Sequence, residues 1–182
     1  YWKMGTFLMS KYSFEIIKSM NFLSKKKDTI FLGQSVIYPG NLLYKTLKQV
    51  SKKKKIELPV FEDTQMGMSI GLSLNGYLPI SCYPRFDFFI LSLNQTINHL
   101  DKLKIISSKE FNPFVIIRVL VGSKKPIDAG LQHTQNYTRE LKSMAKYLKV
   151  VELKDKKTIF KEYKKCYQKK ISTLFVEYSS KY

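Results

Sequence analysis

An acidic side chain between two apolar segments is the first feature of this chain that could do chemistry. Glu62 follows the mostly apolar residues 56–61 and, together with Asp63, precedes residues 64–74, which are rich in glycine, serine and methionine. Its carboxyl group would lie at the edge of a sheet and point into a crevice. Burial there raises a carboxyl pKa and suits the group to exchange a proton with a bound ring. Alternatively, Glu62 only stabilises the positive end of the helix dipole.

Aromatic rings and one histidine follow other apolar segments, and they could hold or react with a ligand. Phe86 and Phe88 come shortly after an apolar run, and His133 lies in a polar loop. Such rings could equally belong to the hydrophobic core, and such a histidine could be an ordinary surface residue. The other histidine, His99, lies beside core positions of a predicted helix, so we interpret it as structural.

The elements that must position these residues alternate between strand and helix. Strands are predicted at residues 28–32, 56–61, 78–83, 114–121, 150–153 and 174–178, and helices at residues 10–25, 42–50, 64–74, 88–106, 137–148 and 158–168. This alternation predicts an α/β fold with a mostly parallel sheet and helices on both faces. Ligands bind such sheets at the carboxyl ends of the strands, where Glu62, residues 83–88 and the loop 122–133 should gather.

The composition is that of a globular protein, and we expect one domain over residues 1–182. Hydrophobic residues make up 44% of the chain, yet no apolar run is long enough to span a membrane. Residues 1–9 lack the pattern of a signal peptide. Cys82 and Cys166 are isolated thiols without metal-ligand or redox spacing, which predicts a reducing, cytoplasmic location and no metal site in this chain.

The formal net charge of +18 is large, and it is concentrated in lysine clusters at residues 25–27, 52–55, 156–157, 164–165 and 169–170. A charge of this size could attract a polyanion or an anionic membrane. The clusters lie at element ends without interleaved arginine, and the chain has only three arginines. We therefore interpret most of the charge as a solvated surface, and we expect no membrane partner and make nucleic acid the minor alternative.

Four groups of motifs in order resemble one known family. They are Pro59 to Glu62 with the glycine-spaced segment up to Gly76-Tyr77-Leu78-Pro79, the aromatic segment 83–88, residues 94–102 with Ile117-Arg118, and Gly130-Leu131-Gln132-His133-Thr134-Gln135. On these residues the chain resembles the transketolase-like pyrimidine-binding domain of thiamine-diphosphate enzymes. The resemblance is greatest to the amino-terminal half of the beta subunit of 2-oxoacid dehydrogenases.

The resemblance implies roles for individual residues. Glu62 would be catalytic, hydrogen-bonding a ring nitrogen of the aminopyrimidine so that the exocyclic amine can remove a proton from the thiazolium ring. Phe88 would stack on the pyrimidine, with Phe86 in the same cofactor-binding segment. His133 would be a catalytic residue that faces the reacting centre, where it can stabilise or protonate intermediates. The cofactor supplies the carbon chemistry, and the protein supplies position and electrostatics.

The resemblance also implies a function that needs a second chain. Neither a glycine-rich phosphate loop nor a Gly-Asp-Gly magnesium motif occurs in this sequence. The chain would be the pyrimidine-domain subunit of a two-chain enzyme that acts on a 2-oxoacid or by ketol transfer, inactive alone. An alpha-type subunit would hold the diphosphate and magnesium, with homodimer contacts within a heterotetramer. The alternative is a non-catalytic structural subunit that keeps the fold for assembly.

Overall fold

The computed structural model describes residues 10–125 and 128–182. Residues 1–9, where we predict no signal peptide, lie outside the described residues, as do Pro126 and Ile127 of the loop that precedes His133. None of the described helices combines the length and the hydropathy that a membrane span needs.

Six parallel strands form one sheet in the order β2-β1-β3-β4-β6-β5. The strands are β1 (Thr29–Gly33), β2 (Lys55–Glu57), β3 (Leu78–Tyr83), β4 (Ile116–Val121), β5 (Lys149–Glu152) and β6 (Thr173–Tyr178). Every residue of the central strand β4 is buried, as its uninterrupted apolar sequence predicts. The predicted α/β fold with a parallel sheet is therefore confirmed.

Helices cover both faces of the sheet, and the core accordingly has two halves. The helices are α1 (Lys11–Ser24), α2 (Leu42–Thr46), α3 (Glu62–Leu74), α4 (Phe86–Phe89), α5 (Leu103–Ile106), α6 (Thr138–Met144) and α7 (Ile159–Lys169). Ile116 and Leu120 of β4 pack with α1, α2 and α7, whereas Ile117 and Val119 pack with α3, α4 and α6. This division follows from the alternation of side chains along a strand.

The predicted helix over residues 88–106 is interrupted. After α4 the chain forms a 3₁₀ turn (Ile90–Ser92) and a π-helix (Asn94–Leu100) before α5. The hydroxyls of Ser92 and Thr96 donate to main-chain oxygens three and four residues earlier, at 2.7 and 2.8 Å, which competes with regular helical bonding. The irregular turns shift the apolar face, so Ile90 is 42% exposed, although Ile97 and Leu100 stay buried.

A buried carboxylate explains why α6 ends earlier than the sequence predicts. Asp101 follows the π-helix, and its carboxylate oxygens accept hydrogen bonds from the backbone N–H groups of Lys146, Tyr147 and Leu148 at 2.6–3.2 Å. A carboxylate that accepts several N–H groups stabilises a turn in place of a helical end. The chain therefore turns into β5 after Met144 instead of continuing the helix.

An ion pair between β4 and β6 lies in the core, on the face covered by α1, α2 and α7. Nε and Nη2 of Arg118 donate to the two carboxylate oxygens of Glu177 at 2.7 and 2.9 Å, and neither side chain is exposed. Tyr163 donates to the same carboxylate at 2.9 Å, and Tyr182 donates to it as well. Burial alone would lower the pKa of Arg118, but the Glu177 carboxylate more than offsets this and raises it.

We predict that Arg118→Met lowers the free energy of unfolding by about 3–5 kcal/mol, because it leaves the buried Glu177 carboxylate without its counter-ion. Urea titration would measure the change. The matched control is Arg139→Met, whose exposed guanidinium lies 3.8 Å from Glu140 and should contribute less than about 1 kcal/mol. Adding Glu177→Leu to Arg118→Met should restore much of the loss. Equal effects of the two single substitutions would contradict this account.

Candidate active site

The crevice between β1 and β3 lies where the order of the sheet reverses. The chain runs from β1 outwards to β2 and then returns to β3 on the other side of β1. Gly33, the last residue of β1, has φ +142°, and a Cβ atom there would lie 2.2 Å from the carbonyl oxygen of Cys82. Only glycine permits this close approach. The carboxyl ends of β1 and β3 therefore meet at the point where parallel sheets bind ligands.

Glu62 is the first residue of α3 and reaches this edge. It is 9% exposed, and its backbone carbonyl accepts a hydrogen bond from the hydroxyl of Tyr83, at the end of β3, at 3.3 Å. Burial raises the pKa of Tyr83, which keeps this hydroxyl protonated as a donor. Among the described residues, nothing hydrogen-bonds to the Glu62 carboxylate or forms an ion pair with it. The carboxylate is thus held at the edge yet free to meet a ligand.

Gln65 fixes the start of α3 against the sheet, and no motif of the sequence predicted this role. Its buried side-chain amide donates to the hydroxyl of Ser81 at 3.0 Å and to the carbonyl of Cys82 at 3.1 Å. Gln65 lies one helical turn after Glu62, so these bonds limit the movement of the acid. A buried amide on an apolar helix face could have drawn attention to it, since such groups need partners.

The structure brings two of the predicted site residues into contact. Phe88 lies on α4 after β3, and His133 lies in the loop after β4. Their ring centroids are 5.4 Å apart, at an interplanar angle of 85°. Phe88 is 38% exposed and His133 is half-buried, so both rings remain accessible from the edge of the sheet. This is an edge-to-face contact that orients both rings.

Two contacts hold the His133 loop in place. A Cβ atom at Gly122 would lie 1.8 Å from the carbonyl oxygen of His133, so the loop passes directly over the end of β4. One carboxylate oxygen of Asp87 accepts a hydrogen bond from the backbone N–H of Gln135 at 3.2 Å, and the other is buried without a partner among the described residues. Asp87 therefore links α4 to the loop that carries His133.

Phe86 lies in the core. Its side chain has no exposed surface, and its ring makes edge-to-face contacts with Phe89 and Tyr137 at centroid distances of 6.1 and 5.7 Å. In this arrangement Phe86 supports α4 and presents no surface to a ligand. The sequence-based assignment of Phe86 to cofactor contact is therefore replaced by a packing role, and Phe88 is the exposed ring of the segment.

A basic cleft of ≈ 540 Å³ opens beside the site and is lined by Arg85, Gly122 and residues between Asn41 and Lys48. Arg85, Lys45 and Lys48 supply its positive charge. Gly122 forms one wall and also contacts the backbone of His133, so the cleft adjoins the Phe88–His133 pair. Its charge suits an anionic substituent.

The described residues contain no cluster of three or more His, Cys, Asp or Glu side chains that could hold a metal ion. Cys82 and Cys166 are buried and unpaired, and burial raises the pKa of each thiol to about 11. Thiols that stay protonated are poor ligands and poor nucleophiles. The two thiols are therefore not candidates for acid–base or nucleophilic chemistry at this edge.

Comparison with known proteins gives relatives of one kind, although no protein-family model matches the chain. The chain is 30% identical over 117 residues to the pyruvate dehydrogenase E1 component subunit beta of Cyanidium caldarium, an alignment that covers 62% of this chain and 35% of that protein. The chain thus spans about a third of the curated relative's length.

Solved structures show the same fold. A split-gene transketolase in an inactive beta4 tetramer superposes with a TM-score of 0.65 and 13% identity, covering 92% of this chain and 50% of that one. Benzoylformate decarboxylase from Polynucleobacter necessarius gives a TM-score of 0.62 and 13% identity, covering 98% of this chain and 34% of that one. At these identities the likeness concerns the fold.

We predict that Asp87→Ala frees the His133 loop while changing global stability little. The hydrogen bond to Gln135 is lost, but so is the cost of burying an unpartnered carboxylate oxygen, and the two are each about 1–3 kcal/mol. Amide hydrogen exchange at Gln135 should accelerate at least about tenfold. Asp87→Asn, which keeps an acceptor, should retain most of the protection, and the exposed Asp63→Ala is the control. Unchanged exchange at Gln135 in Asp87→Ala would exclude the tether.

Proposed function

We propose that this transketolase-like domain supplies the pyrimidine-binding half of a two-chain, thiamine-diphosphate-dependent enzyme that acts on a 2-oxoacid or by ketol transfer. One observation carries the proposal. Glu62, whose carboxylate has no partner among the residues that the structure describes, shares the carboxyl edge of the sheet with Phe88 and His133, whose rings are in contact. The similarity to a pyruvate dehydrogenase beta subunit supports it.

The residues present fit the aminopyrimidine end of the cofactor. That ring needs a carboxyl group that can share a proton and an apolar surface to lie against. Glu62 offers a carboxylate with no other partner among the described residues, and Phe88 offers an exposed ring. The diphosphate end does not find its usual partners here, since the sequence has no glycine-rich phosphate loop or Gly-Asp-Gly motif. We propose that a second chain binds the diphosphate with its magnesium ion.

Each residue would have a distinct task. Thiamine diphosphate, when bound, would supply a carbon nucleophile for a substrate carbonyl. It would also stabilise the negative charge that forms beside that carbonyl. Glu62 shares a proton with a ring nitrogen, Phe88 orients the ring, and His133 gives or takes a proton at a substrate oxygen. Gln65, Asp87 and Gly122 act on these groups by holding α3 and the His133 loop in position.

The cleft beside the Phe88–His133 pair suits an anionic substrate. Arg85 and Lys48 line it, and a 2-oxoacid carries a carboxylate next to its reacting carbonyl. Positive charge in a concave site raises the local concentration of such a substrate. The same charge would serve the phosphate of a ketol donor, so the cleft favours anionic substrates without choosing between the two reactions.

The assembly we propose joins this chain to an alpha-type subunit, with homodimer contacts within a heterotetramer. Two similar proteins support this assembly, because one is named a subunit beta and the other a split-gene transketolase in a beta4 tetramer. Without the partner the chain should bind the cofactor weakly and catalyse nothing. The two buried, unpaired cysteines agree with a reducing compartment, and we propose the cytoplasm.

We predict that Glu62→Gln lowers turnover of the assembled enzyme by about 10²–10⁴-fold, because the amide cannot share a proton with the ring nitrogen. Steady-state kinetics with the partner chain would measure it, and urea titration would verify the fold. Asp63→Asn, at the exposed neighbouring acid, is the matched control and should keep full activity. Undiminished turnover in Glu62→Gln would instead favour the alternative of a non-catalytic structural subunit.

We predict that His133→Ala slows the reaction without weakening cofactor binding, since His133 would act on the substrate. The expected loss in kcat is about 10²-fold or more, with the cofactor Kd from calorimetry on the assembled enzyme unchanged. His99→Ala is the control, because His99 lies on the π-helix and contacts Gln95. A loss of cofactor affinity as large as the loss of rate would contradict the assignment.

A further inference from the structure

The charge of this protein is distributed unequally between the two edges of the sheet. The segments that lead into the strands (residues 25–28, 51–54, 75–77, 104–115, 145–148 and 169–172) contain eleven lysines and two acidic residues. The described segments that follow the strands (residues 34–41, 58–63, 84–87, 122–125, 128–137, 153–158 and 179–182) contain seven basic and five acidic residues. Because all strands are parallel, the amino-terminal edge is strongly basic and the carboxyl edge is nearly neutral.

Hydrogen bonds join neighbouring segments of the basic edge into continuous surfaces. The amine of Lys54, before β2, donates to the backbone oxygen of Lys26, before β1. At the other end of the sheet, the backbone N–H of Lys149 donates to the oxygen of Ser172 at 3.1 Å. The buried Asp101 accepts hydrogen bonds from backbone N–H groups and does not pair with a lysine there. The acidic side chains within these segments that can offset the charge of the exposed lysines are Asp28 and Glu110.

Large apolar side chains are exposed among these lysines. Ile106 is 69% exposed and Tyr147 55%, and Ile105, Phe111 and Ile171 are also exposed. A cleft of ≈ 370 Å³ brings part of this set together, with Lys104, Lys146 and Lys170 beside Ile105, Tyr147 and Ile171. Lysines that surround exposed aliphatic and aromatic side chains are typical of surfaces that bind anionic membranes.

We propose that the amino-terminal edge of the sheet docks on an anionic membrane surface, with lipid phosphates in the Lys104–Lys146–Lys170 cleft and Ile105, Ile106 and Phe111 in the interfacial region. This reverses the expectation that the charge is only a solvated surface. It is a peripheral contact, which needs no membrane-spanning helix.

Two features favour a membrane over nucleic acid. Isoleucine has no π-face on which bases could stack, whereas an acyl interface accommodates it. Arginine is the side chain that most often reads bases, and the three arginines lie elsewhere. Arg118 is buried in the core, Arg85 lines the cleft at the opposite edge, and Arg139 is the second residue of α6. Lysine acts as a point charge towards phosphate, which suits a surface of lipid headgroups.

Docking in this way would leave the candidate active site open. A strand of six residues spans about 20 Å, so Glu62, Phe88 and His133 would lie about that far from the docked edge. This distance exceeds the screening length at physiological ionic strength, which is about 8 Å. The membrane contact is therefore independent of the proposed catalytic function, and each can fail without the other.

The experiment is co-sedimentation of the 182-residue chain with vesicles of phosphatidylcholine alone or mixed with phosphatidylserine. We expect binding only to the mixed vesicles. Replacing Lys104, Lys146 and Lys170 by glutamine should weaken this binding on the order of a hundredfold, since each lysine near such a surface contributes about fivefold.

The matched control replaces Lys156, Lys157 and Lys181 of the carboxyl edge by glutamine, which removes the same charge. It should change vesicle binding less than about threefold. Equal effects of the two triple variants would overturn the proposal, as would failure to bind the mixed vesicles.

A second pair of variants tests the apolar part of the contact. Ile105→Ser with Ile106→Ser should weaken vesicle binding at least about tenfold, because two aliphatic side chains that the membrane interface would bury are lost. Val60→Ser with Leu131→Ser removes exposed apolar side chains from the other edge and should have no effect.

Single-stranded RNA is the competing probe. If it binds more tightly than the vesicles and loses affinity only in the amino-edge lysine variant, the surface is for nucleic acid and the membrane proposal is wrong.

Discussion

The common direction of the six strands is the constraint on which the functional features depend. Because every strand ends on the same edge, the segments after β2, β3 and β4 bring Glu62, Phe88 and His133 to one side of the sheet. Two glycines without room for a Cβ atom, Gly33 and Gly122, allow the chain to pass close over the strand ends. The same direction sends the lysine-rich segments to the opposite edge, so the nearly neutral edge that carries the candidate site is separated from the basic edge.

Carboxylates that accept backbone N–H groups give this edge and its surroundings their shape. Glu57, at the end of β2, accepts from the N–H groups of Ser35, Val36 and Ile37 at 2.5–2.9 Å, which fixes the loop after β1. Asp87 and Asp101 act in the same way on the His133 loop and on the turn before β5. Such charge-assisted bonds replace the regular structure that these loops lack. Glu62 differs from these three acids because its carboxylate has no such partner among the described residues.

Local sequence patterns predicted part of this structure, and contacts between distant residues limited the rest. Apolar runs predicted β3 at its observed residues 78–83 and most of β4, whereas the strand predicted at 56–61 overlaps β2 only at Ile56 and Glu57. Asparagine directly before a helix is a preferred cap, and the side chain of Asn41 accepts from the N–H of Tyr44 at 2.9 Å. The roles of Asp87 and Asp101 could not be predicted, because their partners lie 45 to 48 residues away and no local pattern links them. The π-helix was missed for a different reason, since local bonds from buried hydroxyls, rather than apolar spacing, compete with the regular helix there.

The short helix α4 shows why a motif match alone assigns too many residues to a site. Successive residues of a helix point about 100° apart, so Phe86 and Phe88 differ by about 200° and face nearly opposite directions. If Phe88 lies against a ligand, Phe86 must lie against the core, where it packs on Phe89 and Tyr137. Asp87, between them, points towards the His133 loop. Four residues therefore anchor the helix, position the histidine and expose one ring, and this division follows from helical geometry once the helix is known to begin at Phe86.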